Sequence, residues 1–433
     1  MKPRTATRIL AAALALGGLG AAPAAAIQHE IDGTFSAQYV VSNFNNTPVT
    51  ANYAYDPDGL PADPGTSDFF EQRLRLGYTA KVDDRLKLVT KFELDFGYYG
   101  DASYGVGANE GAAIGGDQVN LETKWVYLDF TSPASDTNVK VGLQEYLDSF
   151  EGTLIWADAA GVVLARPFGK ANLSLGFFRL FDNGEENLGD ETADLFTVDA
   201  SYQPAEGRKV GAAYYLVNDD RGEDTITTHT VGVNAKGGFG AMTLNGFAFY
   251  QFGDAGEGKD VSAWAANAGL ELPLGPGTLR SEVQYASGDN DPNDGEVNSL
   301  FTYYGEYWYG SHSLALLTRD DYALTADNGV IYDVAFGGRG SLIASAGYDL
   351  PLGEKTALSC NLGAGWAAED YGREGALLGT EANVRFTYQI YKELTLTARA
   401  AYLLLGDFYD GVAENGADPD DPFDVRVILG YSF

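Results

Sequence analysis

Apolar and polar residues alternate along most of this chain with a period of two. The last stretch, residues 422–433, shows it plainly. Phe423, Val425, Val427, Leu429, Tyr431 and Phe433 fall on one side of an extended backbone, and Asp424, Arg426, Ile428, Gly430 and Ser432 on the other. Residues 69–100 repeat the pattern as a hairpin. Phe70, Leu74, Leu76, Tyr78, Ala80 and Val82 oppose Glu71, Arg73, Arg75 and Lys81. After Asp83-Asp84, Leu86, Leu88, Phe92, Leu94, Phe96 and Tyr98 oppose Lys87, Lys91, Glu93 and Asp95. Each arm is long enough to cross a bilayer as a tilted strand. So many charges on one face require water, and so many large apolar groups on the other require lipid or a core.

Similar hairpins follow, separated by short turns near 132–138, 167–170, 204–208, 237–240, 273–277, 351–354 and 391–393. Longer polar segments lie between them at 45–68, 100–117, 183–193, 219–225, 253–259, 289–333, 370–375 and 408–421. Short turns on one rim and long loops on the other predict an all-β transmembrane antiparallel β-barrel. The count is about 18 strands, with 16 as the alternative, short periplasmic turns and long extracellular loops. The first strand is expected near 33–44. Segment 298–333 is the least regular: it either holds another hairpin or folds into the pore, plugging or constricting it.

Residues 1–26 read as a cleaved signal peptide, with Lys2, Arg4 and Arg8 before an apolar run and Ala24-Ala25-Ala26 at its end. Residues 27–433 then form a single barrel domain in the bacterial outer membrane. The sole cysteine, Cys360, lies far from the cleavage site, so no lipid anchor is expected there, and a lone cysteine forms no intrachain disulfide. The net charge of −33 argues against nucleic acid as a partner. With 3 His and 1 Cys the chain offers little to a transition metal, and it lacks a CxxCH haem motif.

Alternation places Arg73, Arg75, Lys87, Lys91, Lys124, Lys140, Arg280, Arg385, Arg399 and Arg426 on the lumen face, with Glu93 and the carboxylates Glu71, Asp95, Glu122, Glu282 and Glu381 as partners. These are the candidate pore-lining residues. They either form a cationic ladder that favours anions or pair with carboxylates and stiffen the wall. The acidic loops include Glu185, Glu186, Glu414 and the run Asp289, Asp291, Asp294 and Glu296. That run is a Ca²⁺ candidate, although Leu300 occupies the position where an EF-hand loop carries Glu. Otherwise no cofactor is expected. Of the histidines, His29, His229 and His312, only His312 has neighbouring hydroxyls, and adjacent strand residues point to opposite faces, so no enzyme is expected. Trp125, Tyr127, Phe249, Tyr250, Tyr388, Tyr402 and Tyr431 are assigned to interfacial girdles; the competing role for aromatics is a track that stacks sugar rings, with 301–309 as its best candidate.

Three stretches carry a family resemblance: YASGDNDPNDGEVN (285–298), GTEANVRFTYQIYKELTLTARAAYLLLGDFYDG (379–411) and the last strand. They resemble alginate-export-like outer-membrane porins, including homotrimeric porins of sulfate-reducing bacteria. Where that family carries Phe-Asp, Pro-Thr and His, this chain has SLFTYYGEYWYG. The resemblance implies a passive channel for small hydrophilic solutes, with anionic saccharides as the alternative cargo and a plugged binding barrel as the rival. It also implies outer-membrane lipid, lipopolysaccharide and the barrel-assembly machinery as partners, and a homo-oligomer with a trimer as the candidate form. Leu429, Tyr431 and Phe433 match the assembly signal of that class.

Overall fold

The computed structural model describes residues 27–45, 60–96, 99–100, 121–184, 187–303, 313–319, 324, 328–413 and 416–433. The signal segment, Glu185, Glu186, His312, Glu414 and the aromatics at 304–309 lie outside them.

The wall begins with β1 (Gln28–Ser42), β2 (Ser67–Asp83), β3 (Leu86–Phe96), β4 (Leu121–Thr131), β5 (Asn138–Leu147) and β6 (Trp156–Phe168). It continues through β7 (Ala171–Asp182), β8 (Thr192–Ala205), β9 (Arg208–Asp219), β10 (Ile226–Phe239), β11 (Met242–Asp254), β12 (Asp260–Leu274) and β13 (Gly277–Ala286). After the two-residue β14 (Glu296–Val297) come β15 (Ser341–Pro351), β16 (Thr356–Ala367), β17 (Leu377–Tyr391), β18 (Leu394–Leu405) and β19 (Phe423–Ser432). β14 only touches β12 in parallel, so eighteen antiparallel strands make the wall.

Closure joins β19 to β1 from Thr34↔Ser432 to Ser42↔Asp424. Gly33 and Phe433 exchange both backbone hydrogen bonds at 3.0 Å. No sheet edge is then left open to hydrocarbon, where unpaired backbone groups are costly. Gly33 is needed there: a Cβ would stand 2.6 Å from the Arg75 carbonyl and 2.6 Å from the Phe433 ring. The eight short connections match the expected turns, and Gly207 and Gly275 occupy left-handed conformations within two of them (φ +69° and +60°).

Outward positions expose large apolar side chains such as Val231, Val233, Leu362, Leu404, Val425 and Val427, as a lipid-facing band requires. The inner face departs from the simple alternation. A buried apolar cluster fills part of the lumen, built from wall residues Phe178, Leu195, Tyr215, Phe247 and Phe249 and from loop residues Phe150, Leu154, Leu314 to Leu317, Ile331 and Phe336. On β8 to β12 several inward positions are apolar, because the inner face there receives a loop.

Candidate functional site

The connection from β5 to β6, residues 148–155, folds inward as a tongue. Its sequence, DSFEGTLI, organises itself around Asp148. One carboxylate oxygen accepts the N–H groups of Phe150 (2.7 Å) and Gly152 (3.0 Å), and the other those of Leu154 and Ile155 (both 2.8 Å). Burial nevertheless pushes this carboxyl up to about 6, against the four donors. Phe150 anchors the tip with its ring centre 4.8 Å from Phe249, 5.6 Å from Tyr215 and 5.8 Å from Phe247. A Cβ on Gly232 would lie 2.7 Å from the Phe150 ring, so the wall glycine makes room for it. Ser149 completes the dock, donating to Asp199 at 2.6 Å. Sequence reading missed this tongue; its one mark is a phenylalanine in an otherwise polar turn.

A second segment, between β13 and β15, crosses the interior. Tyr303 N–H donates to the tongue carbonyl of Leu154 (2.8 Å), and Phe301 N–H to Gln251 (2.7 Å). Glu381 accepts three successive N–H groups, from Ala315, Leu316 and Leu317, at 2.8, 2.9 and 2.8 Å. Farther along, Arg73 donates to the Leu324 carbonyl (2.6 Å) and Asn328 N–H to Asn45 (3.1 Å). Its described part therefore lines the lumen from β11 round to β2.

These two insertions divide the lumen charges into two sectors. On β2 to β6 they stay partly solvated. Arg75 pairs with Glu93, which also lies 3.6 Å from Arg73. Lys87 meets Asp129 at 3.4 Å, and Lys124 meets Asp158 at 2.9 Å. Lys91 sits 3.9 Å above the Trp125 ring, and Lys140 5.7 Å from that of Tyr127. Trp125 Nε1 donates to Asp158 (2.7 Å) and Trp156 Nε1 to Glu145 (2.9 Å). Lys124 is an extra residue in the β3–β4 ladder, and this bulge turns both Trp125 and Tyr127 inward. Their girdle assignment is therefore corrected, as is that of Phe249, which packs on Phe150. Tyr250, Tyr388, Tyr402 and Tyr431 are exposed on the outer face.

On β17 to β19 and β1–β2 the charges are sealed. Arg426 grips Asp424 through Nε (2.8 Å) and a terminal nitrogen (3.1 Å), and Arg399 reaches the same carboxylate at 2.7 Å. Glu71 stands 3.8 Å from Arg426 and accepts from Gln38, while Asn45 donates to Asp424 at 3.1 Å. The side chains of Arg399 and Arg426 are 4% and 0% exposed, against 37% and 38% for Arg75 and Lys87. Thus Arg399 and Arg426 face inward as alternation requires, but they do not line an open passage. Arg280 is likewise engaged, by Asp349 (2.6 and 3.0 Å), Ser313 (2.8 Å) and Asn361 (2.8 Å). Arg385 lies on the same face of β17 as Glu381 and Asn383. Between the tongue and β10 to β15 an open cavity of ≈ 300 Å³ remains, with Trp156, Glu151, Lys236, Arg280 and Glu282 on its walls.

In the acidic loop the carboxylates are engaged by the local backbone. Asp289, Asp291 and Asp294 each accept a hydrogen bond from the backbone N–H two residues on, the last from Glu296, which shapes turns rather than a shared ligand sphere. Among the described residues no three His, Cys, Asp or Glu converge as a metal site. Leu429, Tyr431 and Phe433 are exposed on the outer face of the closing strand. His29 and His229 contact Tyr78 and Tyr214 at exposed positions, each bonded to a phenol at 2.7 Å.

A family model described as alginate export matches residues 181–316, from the end of β7 into the internal segment. Of the three stretches that carry the resemblance in sequence, 285–298 lies inside that match, and 379–411 and the last strand lie beyond it. No curated protein matches the chain significantly. Among solved structures, Pseudomonas aeruginosa OccK9 (OpdG) superposes with a TM-score of 0.55 at 16% identity, over 94% of this chain and 98% of that one. Acinetobacter baumannii OccAB4 gives 0.54 at 14% identity, and P. aeruginosa OpdK with vanillate gives 0.54 at 14%, both over the same 94% and 98%. At such identity the likeness shows the fold, which is that of outer-membrane porin barrels.

Proposed function

We propose that the chain is an outer-membrane porin through which small hydrophilic solutes diffuse between the tongue and the β2–β4 wall. The observation that carries the reading is the solvated sector. There the wall cation Lys124 meets Asp158 of the tongue hairpin at 2.9 Å, Trp125 donates to the same carboxylate, and Arg75 pairs with Glu93 beside them. Such an arrangement supplies water-like stabilisation to polar solutes and sets a field across the pore rather than along it. The expected cationic ladder thereby becomes a transverse dipole with weak ion selectivity. Trp125 and Trp156 add flat surfaces beside the charges, a combination suited to ring-bearing carboxylates. The solved structure of OpdK with vanillate and the match to an alginate-export family support that solute class. The reading leaves this chain no catalytic role. We place homo-oligomerisation, as a trimer, within the same proposal.

Single-channel conductance in a planar bilayer under a KCl gradient tests it. The native protein should give discrete steps with a reversal potential near zero. Replacing Lys91 and Lys124 with Ala should shift permeability about fivefold toward cations, the worth of about one screened charge contact. Glu145→Gln with Asp158→Asn should shift it the other way. Absence of steps from folded protein would sink the open channel in favour of a barrel plugged by the apolar internal cluster.

A further inference from the structure

Outside the lumen, the periplasmic edge of β6 to β12 combines two features. The outer face holds an apolar groove of ≈ 640 Å³, bounded by Val210, Val233, Ala235, Leu244, Ala248 and Ala268. At its periplasmic end Arg208 and Pro204 also line it. Arg208 and Lys170 gather at that end, with Arg166 on the same rim. Arg208 lies 5.1 Å from the Phe239 ring and donates to the Gly238 carbonyl at 3.2 Å. Lys170 donates to the Pro204 carbonyl at 2.8 Å, and Arg166 lies 5.2 Å from the Phe168 ring. None of the three forms an ion pair with a carboxylate among the described residues, and Glu206 is the one acidic residue in the turns beside them.

Other turns of this rim differ. Arg85 pairs with Asp136 (3.0 Å) and Lys81 with Asp84 (2.8 Å), while Lys355 follows Glu354 and Lys392 precedes Glu393. In a chain of net charge −33, a cluster of cations with no carboxylate partners at the membrane boundary is a local reversal. A groove for a hydrocarbon chain that ends at such a cluster matches one kind of molecule.

We propose that this edge is a docking site for an anionic phospholipid of the inner leaflet, its phosphate at Arg208 and Lys170 and an acyl chain in the groove. The inference rests on the outer-membrane reading above, which sets the depth of the rim. Each cation near an anionic lipid surface is worth about a fivefold change in retention.

Native mass spectrometry of the full chain with equal phosphatidylglycerol and phosphatidylcholine is the test, with single-channel conductance on the same preparations. Phosphatidylglycerol should be retained preferentially. Arg166→Ala, Lys170→Ala and Arg208→Ala should each cut the preference, by up to about fivefold, without changing conductance. Ala248→Trp, which fills the groove, should lower retention of both lipids. Equal retention by the native protein, or a preference that survives the triple substitution, overturns the site. So does preferential retention of lipid A, or a second copy of the chain occupying the groove. Conductance failing while phosphatidylglycerol preference persists would instead defeat only the channel reading.

Discussion

The two sides of the lumen use the same residue types for opposite ends. On β2 to β6, Arg75 and Lys87 keep part of their hydration, and each meets a single carboxylate. On β17 to β19 and β1–β2, Arg399, Arg426, Asp424 and Glu71 have lost nearly all contact with water. A solvated pair contributes little to stability because water already stabilises each ion. A sealed set survives only while every charge keeps its partner, since each ion has left water behind. One side therefore keeps charges within reach of water, and the other holds the insertion in place.

Breaking that contrast gives the largest expected effect. Asp424→Ala leaves two buried guanidinium groups without their shared carboxylate and should cost about 3–5 kcal/mol in urea unfolding from lipid vesicles. Asp129→Ala, which removes the partner of solvated Lys87, should cost under about 1 kcal/mol in the same assay. Comparable costs would erase the distinction between the sectors. Phe150→Ala should come next, at about 3 kcal/mol for an emptied aromatic site, and should also enlarge the conductance step as the tongue leaves the β9–β11 wall.

The mildest handle is pH. Asp148 holds its proton more tightly when folded, at about 6 against an ordinary value near 4. Stability from this group is thus fully present at about pH 4 and is lost as pH rises through 6, by at most about 3 kcal/mol. Channel noise from tongue motion should be lower at about pH 5 than at pH 7. Asp148→Asn should remove that difference; noise that keeps its pH dependence in the variant would assign it to another group.

Much of this architecture was legible in the residue pattern. The period of two located the strands, the short polar breaks located the eight turns, and the alternating end of the chain located the closing strand. Depth was not legible. Alternation states that Arg426 faces inward, but not whether water or a folded-in loop awaits it there. The contacts of Asn45 and Asn328 supply that information. Trp125 was misplaced because one inserted residue, Lys124, reverses the parity of everything beyond it on β4. The tongue was missed because DSFEGTLI satisfies every requirement of an ordinary turn. Its inward direction depends on Gly232, some eighty positions later, leaving room for one phenyl ring.

Asp424 lies on the closing strand, β19. Its partners Arg399, Arg426 and Asn45 come from both ends of the chain, and Asn45 in turn holds Asn328 of the internal segment. The interior lock therefore cannot be set before the seam between β19 and β1 is drawn shut. A chain that stalls short of closure carries an unsecured interior as well as an open edge. Quality control that inspects only the seam would thus also be inspecting the pore.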